Sequence, residues 1–320
     1  MKKTKAIILS HESAYSFWMR TDESFGNVPS RQKAVLEPSS ARDLKHSLAE
    51  LKYDPRVFGR LHLLTSNRGV ASSKGNIWYH CCSVELPPSA YLRISDNVYV
   101  CAPWFCLAQL ARTCSKAQLI LRITDLCGIY AIHPETGALP RRSHKIATVE
   151  VLRTQLLAHR EIQGAKAVLD ALPYAAQDSR SPRESVTTLM LCLPYRYGGF
   201  GLPRPKLNED IVPKSRAALM GQDWFEGDLC WPNAKIIIEY AGREYHQDNE
   251  RDNRRRNDLE VLGWQVFFVF DSTLRNEQEF EKLARKIAIK LGHRVQIPAG
   301  WHERHLQLRS ELDVTARYWF

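Results

Sequence analysis

The sequence predicts an α/β protein in two parts: a mixed α+β domain of residues 1–175, then a domain of residues 176–320 built on a mixed sheet flanked by helices. In the second half, short apolar runs typical of strands alternate with segments whose apolar residues recur at helical spacing. Both patterns occur in the first half but are weaker. Between the halves, Pro173 ends an apolar helical pattern and residues 177–180 are polar, which places the boundary near 175.

The first half predicts helices around one hairpin. Residues 13–18 open a helix, and residues 91–94 and 98–100 alternate like two paired strands. Pro103 begins a further helix. Residues 148–172 predict one long helix, which Pro173 would end.

The second half predicts the order helix, hairpin, helix, strand, helix. The first helix begins at Ser181-Pro182, and the strands around 228 and at 236–240 form a hairpin. A helix of residues 249–262 follows, closed by Gly263. The apolar run 265–270 predicts a central strand, parallel to 236–240 through a crossover. Apolar residues at helical spacing from Phe280 to Leu291 predict the last helix.

Composition limits the class of partner and the location. The formal net charge of +10 favours a polyanion such as DNA, although a basic protein without such a partner is the alternative. No stretch approaches the roughly 18 apolar residues of a membrane span. The apolar start is too short for a signal peptide, and the eight cysteines form no CxxC pair. We therefore expect reduced thiols, a cytoplasmic protein and no membrane partner.

Two acids form the candidate chemical site. Asp228 lies in one strand of the predicted hairpin, and Glu239 directly follows the apolar run 236–238 in the other. On neighbouring strands their carboxylates could meet on one sheet face, and two like charges so close require a cation. Oxygen ligands of this kind suit Mg²⁺ or Mn²⁺. The alternative is that both acids lie at strand ends in solvent.

Two further residues have a structural and a functional explanation. Ser181 and Glu184 have the spacing of a helix capping box, which explains Glu184 without any function, although it could also contact a metal through water. His246 could carry a proton or hold a phosphate, or it could be structural.

A run of arginines lies on the predicted helix 249–262. Arg251, Arg254, Arg255 and Arg256 could contact phosphate, or they could form a solvated face paired with nearby acids. The acids favour the solvated face for most of them, and Arg255, with Arg251 second, is the candidate for contact with nucleic acid.

Residues of about 179–291 resemble the PD-(D/E)XK nuclease superfamily, in the branch similar to very-short-patch-repair endonucleases. The resemblance rests on Ser181 to Glu184, on Asp228, on Glu239 with Gly242 and His246, and on Asp252, Arg255, Leu259, Gly263 and Trp264. It implies a magnesium-dependent DNA nuclease, with Asp228 and Glu239 as metal ligands and Glu184 as a possible third acid. Ala241 stands where this superfamily has lysine, and Tyr240 where the branch often has an acid. Arg243 or His246 could supply the missing cation.

The segment Val98 to Pro103, followed by a helix, is similar to part of the bacterial type IV antitoxins of the abortive-infection class. Three hypotheses follow. The first is a metal-dependent DNA endonuclease in a bacterial defence or DNA-processing context. The second is a DNA-binding or antitoxin-like regulator with a degenerate nuclease fold. The third, weaker one is a protein directed at RNA.

Overall fold

A computed structural model describes residues 6–21, 59–66, 73–95, 97–133, 136–212, 225–241 and 249–312. The chain divides into two compact units, Met1–Pro173 and Tyr174–Phe320. This division falls beside the predicted boundary near residue 175, and the independence of the two parts stays a prediction. Helices and two mixed sheets confirm the predicted α/β class.

Unit 1 contains a six-stranded mixed sheet in the order β3-β4-β2-β1-β6-β5. Its elements are β1 Ile7–Leu9, α1 His11–Arg20, β2 Leu61–Thr65, β3 Ser73–Lys74, β4 Ile77–Cys81, β5 Tyr91–Arg93, β6 Val98–Cys101, α2 Pro103–Leu110, α3 Lys116–Leu126, α4 Val149–Ala158 and α5 Ala165–Ala171. The apolar start of the chain is thus a buried strand, β1, which pairs parallel with β6 and antiparallel with β2. The predicted hairpin of β5 and β6 is confirmed.

Unit 2 contains a four-stranded sheet in the order β10-β9-β8-β7. Its elements are α6 Pro182–Cys192, β7 Lys206–Ile211, β8 Phe225–Trp231, β9 Ile236–Ala241, α7 Asn249–Val261, β10 Gln265–Phe270, α8 Asp271–Arg275, α9 Glu277–Lys290 and α10 Trp301–Glu311. β8 and β9 form the predicted antiparallel hairpin, and β9 and β10 are parallel across the crossover helix α7, also as predicted.

The sheet of unit 2 is covered by helices because its strands are apolar on both faces. Ile236, Ile237 and Ile238 are all buried. Ile237 and Cys230 pack with Leu259 of α7 in one core cluster. A chain that buries successive strand residues needs a layer on each side of the sheet.

Two secondary-structure predictions were wrong. β10 is an edge strand and not a central one, and its ends, Gln265 and Phe270, are exposed. The predicted helix 148–172 is two helices, α4 and α5. It breaks at Gly164, where φ is +93° and a Cβ would lie 2.0 Å from the carbonyl oxygen of Ala108. The chain must turn there to pass against α2, and only glycine permits that approach.

Across the described ranges, no helix combines the length and the apolar character that crossing a membrane requires.

Candidate active site

The acids Asp228 and Glu239 lie at the point where regular pairing between β8 and β9 ends. The last pair is Leu229 with Ile238, so the next position in register sets Asp228 beside Glu239. Asp228 Oδ2 accepts a hydrogen bond of 2.7 Å from the backbone N–H of Tyr240. A carboxylate therefore takes the place of a backbone carbonyl at this strand end, and its orientation is set by β9.

Glu184 lies in the first turn of α6 with only 6% of its surface exposed. The predicted capping interaction is present, since Ser181 Oγ accepts from the N–H of Glu184 at 3.2 Å and donates to Glu184 Oε1 at 2.9 Å. Glu184 Oε2 accepts from the N–H of Arg180 at 2.8 Å and from Asn208 Nδ2 at 2.9 Å. The cap thus explains only part of what this carboxylate contacts.

Glu184 and Asp228 are close enough to influence each other electrostatically. Burial raises the pKa of Glu184 to about 7, and the negative charge of Asp228 adds to the rise, although the bonds from Arg180, Asn208 and Ser181 oppose it. Burial also raises the pKa of Asp228, against the Tyr240 N–H and the charges of Arg255 and Arg180. Two carboxyls with raised pKa values on adjacent elements mark a site where negative charge is not fully compensated.

Glu239 is compensated by a cation from the crossover helix. Arg255 Nη2 of α7 lies 2.9 Å from Glu239 Oε1, and the Glu239 side chain is 12% exposed. The same nitrogen donates to the backbone carbonyl of Glu226 in β8. Arg256, in contrast, pairs along the helix with Glu260 at 2.9 Å, with both side chains about half exposed. The solvated-face explanation thus fits Arg256, whereas Arg255 joins α7 to the acid-bearing strands.

A second polar cluster anchors the other side of β9. Arg183 of α6 contacts both carboxylate oxygens of Asp271, at 2.7 and 2.8 Å. The hydroxyl of Tyr240 donates to Asp271, and the Arg183 guanidinium carbon lies 5.0 Å from the Tyr240 ring centroid. Burial and the bond to Asp271 raise the pKa of Tyr240. Tyr240, which stands where the branch often has an acid, is therefore held by a carboxylate from the start of α8.

Sequence reasoning missed Asn208, whose side chain reaches Glu184 from β7. Strand β7 reads Lys-Leu-Asn-Glu-Asp-Ile, which is too polar to predict a strand from its pattern. Asn208 has a φ of +52°, in the left-handed region that few residues other than glycine adopt. The only signal in the sequence is an asparagine, a residue that tolerates this backbone conformation.

Several predicted site residues cannot be placed. His246 and Arg243 lie outside the described residues, as does the side chain of Arg251, although its position in α7 is known. Ala241 ends β9 and pairs in register with Phe270. Among the described residues, no three His, Cys, Asp or Glu side chains form a group that could hold a metal ion.

Comparisons with known proteins leave the family open. No protein-family profile and no solved structure matches the chain. The chain is 28% identical over 162 residues to two proteins of Mycobacterium tuberculosis, uncharacterized protein MT2308 of strain CDC 1551 / Oshkosh and uncharacterized protein Rv2248 of strain ATCC 25618 / H37Rv. The matched region covers 46% of this chain and 55% of each relative, so the chain spans about half the length of the curated relatives it matches.

Proposed function

We propose that this protein is a metal-dependent DNA endonuclease that hydrolyses phosphodiester bonds at the site formed by Asp228, Glu239 and Glu184. One observation carries the proposal: the carboxyl of Glu184 is buried against that of Asp228 with a pKa raised to about 7, and Glu239 lies beside Asp228 on the next strand. Holding acids together in this way lowers stability, so proteins keep such clusters mainly where they have chemical work to perform.

The donor set suits a hard divalent cation. All the side chains around Asp228 offer oxygen atoms, which are the ligands that Mg²⁺ and Mn²⁺ prefer. Since no three acid, histidine or cysteine side chains converge among the described residues, the ion would be held by Asp228 with one further acid, Glu239 or Glu184. Mg²⁺ commonly retains several waters beside one or two carboxylates. Such an ion, when bound, would polarise the phosphodiester and lower the pKa of a bound water.

The protein's own residues would orient the site and offset its charge. The N–H of Tyr240 sets the direction of the Asp228 carboxylate. Arg255 is the described cation nearest to the role that lysine has in the nuclease superfamily, because its guanidinium lies 2.9 Å from Glu239. A guanidinium remains charged at neutral pH, so it can stabilise phosphate charge but cannot act as a base.

A second candidate is a DNA-binding regulator with a degenerate site. The specific observation in its favour is that Arg255 already neutralises Glu239, while Ala241 stands at the lysine position. In this case the fold and the basic charge would be retained for binding, and the acids would contribute only to local structure.

Plasmid nicking separates the two candidates. We expect the wild-type protein to nick supercoiled DNA with Mg²⁺ or Mn²⁺ and not with EDTA, and Asp228→Asn to lose this activity. Asp210→Asn is the matched control, because Asp210 is an exposed acid on the adjacent strand β7. If only Ala241→Lys nicks DNA and the wild type does not, the regulator is the correct assignment.

The source of the missing cation is tested in the same assay. Arg255→Ala should slow nicking by about 100-fold if its charge acts in the transition state, whereas Arg256→Ala, whose arginine pairs with Glu260 on the exposed side of α7, should not. A large loss in Arg243→Ala or His246→Ala, with Arg255→Ala active, would assign the role to those residues instead.

DNA binding itself is tested by its salt dependence. A surface that contacts several phosphates gives a log–log slope of roughly −0.9 per phosphate for duplex DNA. We expect the affinity of this chain, with its net charge of +10, to fall steeply with salt. A flat salt response would indicate a protein partner, and stronger binding to single-stranded RNA than to duplex DNA would favour the RNA hypothesis.

A further inference from the structure

The backbone of Asn208 departs from regular strand geometry directly across from Asp228. Leu207 pairs with Leu229 and Glu209 pairs with Gly227, so Asn208 occupies the position facing Asp228 in the ladder between β7 and β8. Its φ of +52° interrupts the strand at that one residue. Local strain of this kind is retained where the surrounding structure holds it, and it is concentrated at functional sites.

The orientation of the Asn208 amide is determined by its neighbours. Nδ2 donates to the backbone carbonyl of Asp178 at 2.7 Å and to Glu184 Oε2 at 2.9 Å. A carbonyl oxygen only accepts hydrogen bonds, so the reversed amide would face it with a second acceptor. Oδ1 is therefore the atom left over, and it is shielded from solvent without a hydrogen-bond partner among the described residues.

An oxygen that is buried and unpaired requires an explanation, because such groups lower stability unless a partner satisfies them. The amide lies against Glu184, which is itself within the electrostatic influence of Asp228. The described acids, histidines and cysteines do not complete a metal site by themselves. A neutral amide oxygen would add a ligand without adding negative charge to carboxyls that already repel each other, and amide oxygens are common ligands of hard cations.

We propose that Asn208 Oδ1 is an additional oxygen ligand of the divalent cation at the Asp228 site. This inference rests on the proposed function, because it assumes that an ion binds there. The left-handed backbone at Asn208 is then the geometry that turns the amide oxygen away from Asp178 and Glu184 and leaves it available to the ion.

Two substitutions distinguish a ligand from a structural anchor. Asn208→Gly favours the left-handed backbone and removes the oxygen, whereas Asn208→Asp tolerates the backbone, keeps an oxygen and removes the amide donor. A ligand role predicts that glycine weakens metal binding by about tenfold or more, a loss typical of groups that support a metal, and that aspartate binds as tightly as the wild type or more tightly. Lys235→Gly is the control for backbone relief, since Lys235 has a φ of +50° in the turn between β8 and β9.

The measurement is calorimetric titration of the full chain with Mn²⁺, together with thermal unfolding in EDTA to establish that each variant folds. Binding by wild type, loss in Asp228→Ala, tenfold weakening in Asn208→Gly and retention in Asn208→Asp would support the proposal. Equal affinity of wild type and Asn208→Gly would overturn it while leaving the metal-dependent function standing. Equal weakening in the glycine and aspartate variants would assign an anchoring role and overturn it too. Absence of Mn²⁺ binding by the wild type would overturn both the inference and the proposed function.

Discussion

Replacing Glu184 by glutamine should change how stability depends on pH, because the folded protein holds this carboxyl with a raised pKa. The pKa is about 7 in the folded state against an ordinary value of 4.5. Between these values the unfolded chain has released the proton while the folded protein retains it, so the free energy of unfolding falls as pH rises. A difference of about 2.5 pKa units corresponds to a loss of about 3 kcal/mol between pH 4.5 and pH 8.

Urea unfolding of the full chain in EDTA, followed from pH 4.5 to pH 8, measures this loss. Glutamine resembles the protonated side chain and cannot ionise, so the stability of Glu184→Gln should not contain this slope. The difference in unfolding free energy between wild type and variant should therefore shift by about 3 kcal/mol in favour of the variant as pH rises. Subtracting the two proteins removes the titration of unrelated groups.

A control and a refuting result complete the experiment. Glu279 is exposed on α9, and its bond to Lys282 lowers its pKa, so Glu279→Gln should show a small trend of the opposite sign. If the difference between wild type and Glu184→Gln stays constant over this pH range, Glu184 ionises normally in the fold. The electrostatic link between Glu184 and Asp228, on which the proposed site depends, would then be wrong.

Three further predictions concern stability. Gly164→Ala should lower the free energy of unfolding by about 3 kcal/mol or more, because its Cβ would meet the Ala108 carbonyl oxygen at 2.0 Å. Gly75→Ala, with a similar positive φ and nothing within 4 Å, should lose only about 1 kcal/mol, and equal losses in the two variants would contradict the close approach of α5 to α2. Burial, with neighbouring charge, lowers the pKa of His11 to about 3 and that of His80 to about 4, so stability should fall as pH drops from 6.5 towards 4. A urea series should show this fall reduced in His80→Gln, and an unchanged fall would exclude His80 as its source. Residues 174–320 expressed alone should give a cooperative urea transition by circular dichroism, since they form one compact unit, and a gradual transition would show that they depend on the first half.

Where local pattern and tertiary role agree, the sequence was sufficient. The amphipathic spacing from Phe280 to Leu291 predicted helix α9, and the isoleucines before Glu239 predicted a buried strand. The hairpin of β8 and β9 and the parallel crossover to β10 followed from the order of elements, because a helix between two strands returns the chain parallel. Such features depend on neighbours in sequence, and the capping contact of Ser181 with Glu184 is of the same kind.

Features set by distant contacts needed the three-dimensional structure. The apolar run of β10 has the composition of a central strand, yet its place at the sheet edge is decided by which strands pair, a choice that composition does not encode. The polar strand β7 exists because its backbone hydrogen-bonds to β8, whatever its side chains.

The sequence by itself determined the α/β class, the acids that the candidate site contains and the cap that places Glu184 at the start of a helix. Only the tertiary structure decided which groups surround those acids. Arg255 reaches Glu239 from 16 positions along the chain, and Asn208 reaches Glu184 from 24. The physical reason is that pairing of carboxylates with cations and amides depends on distances of about 3 Å across different elements, and no local periodicity in the chain records such distances.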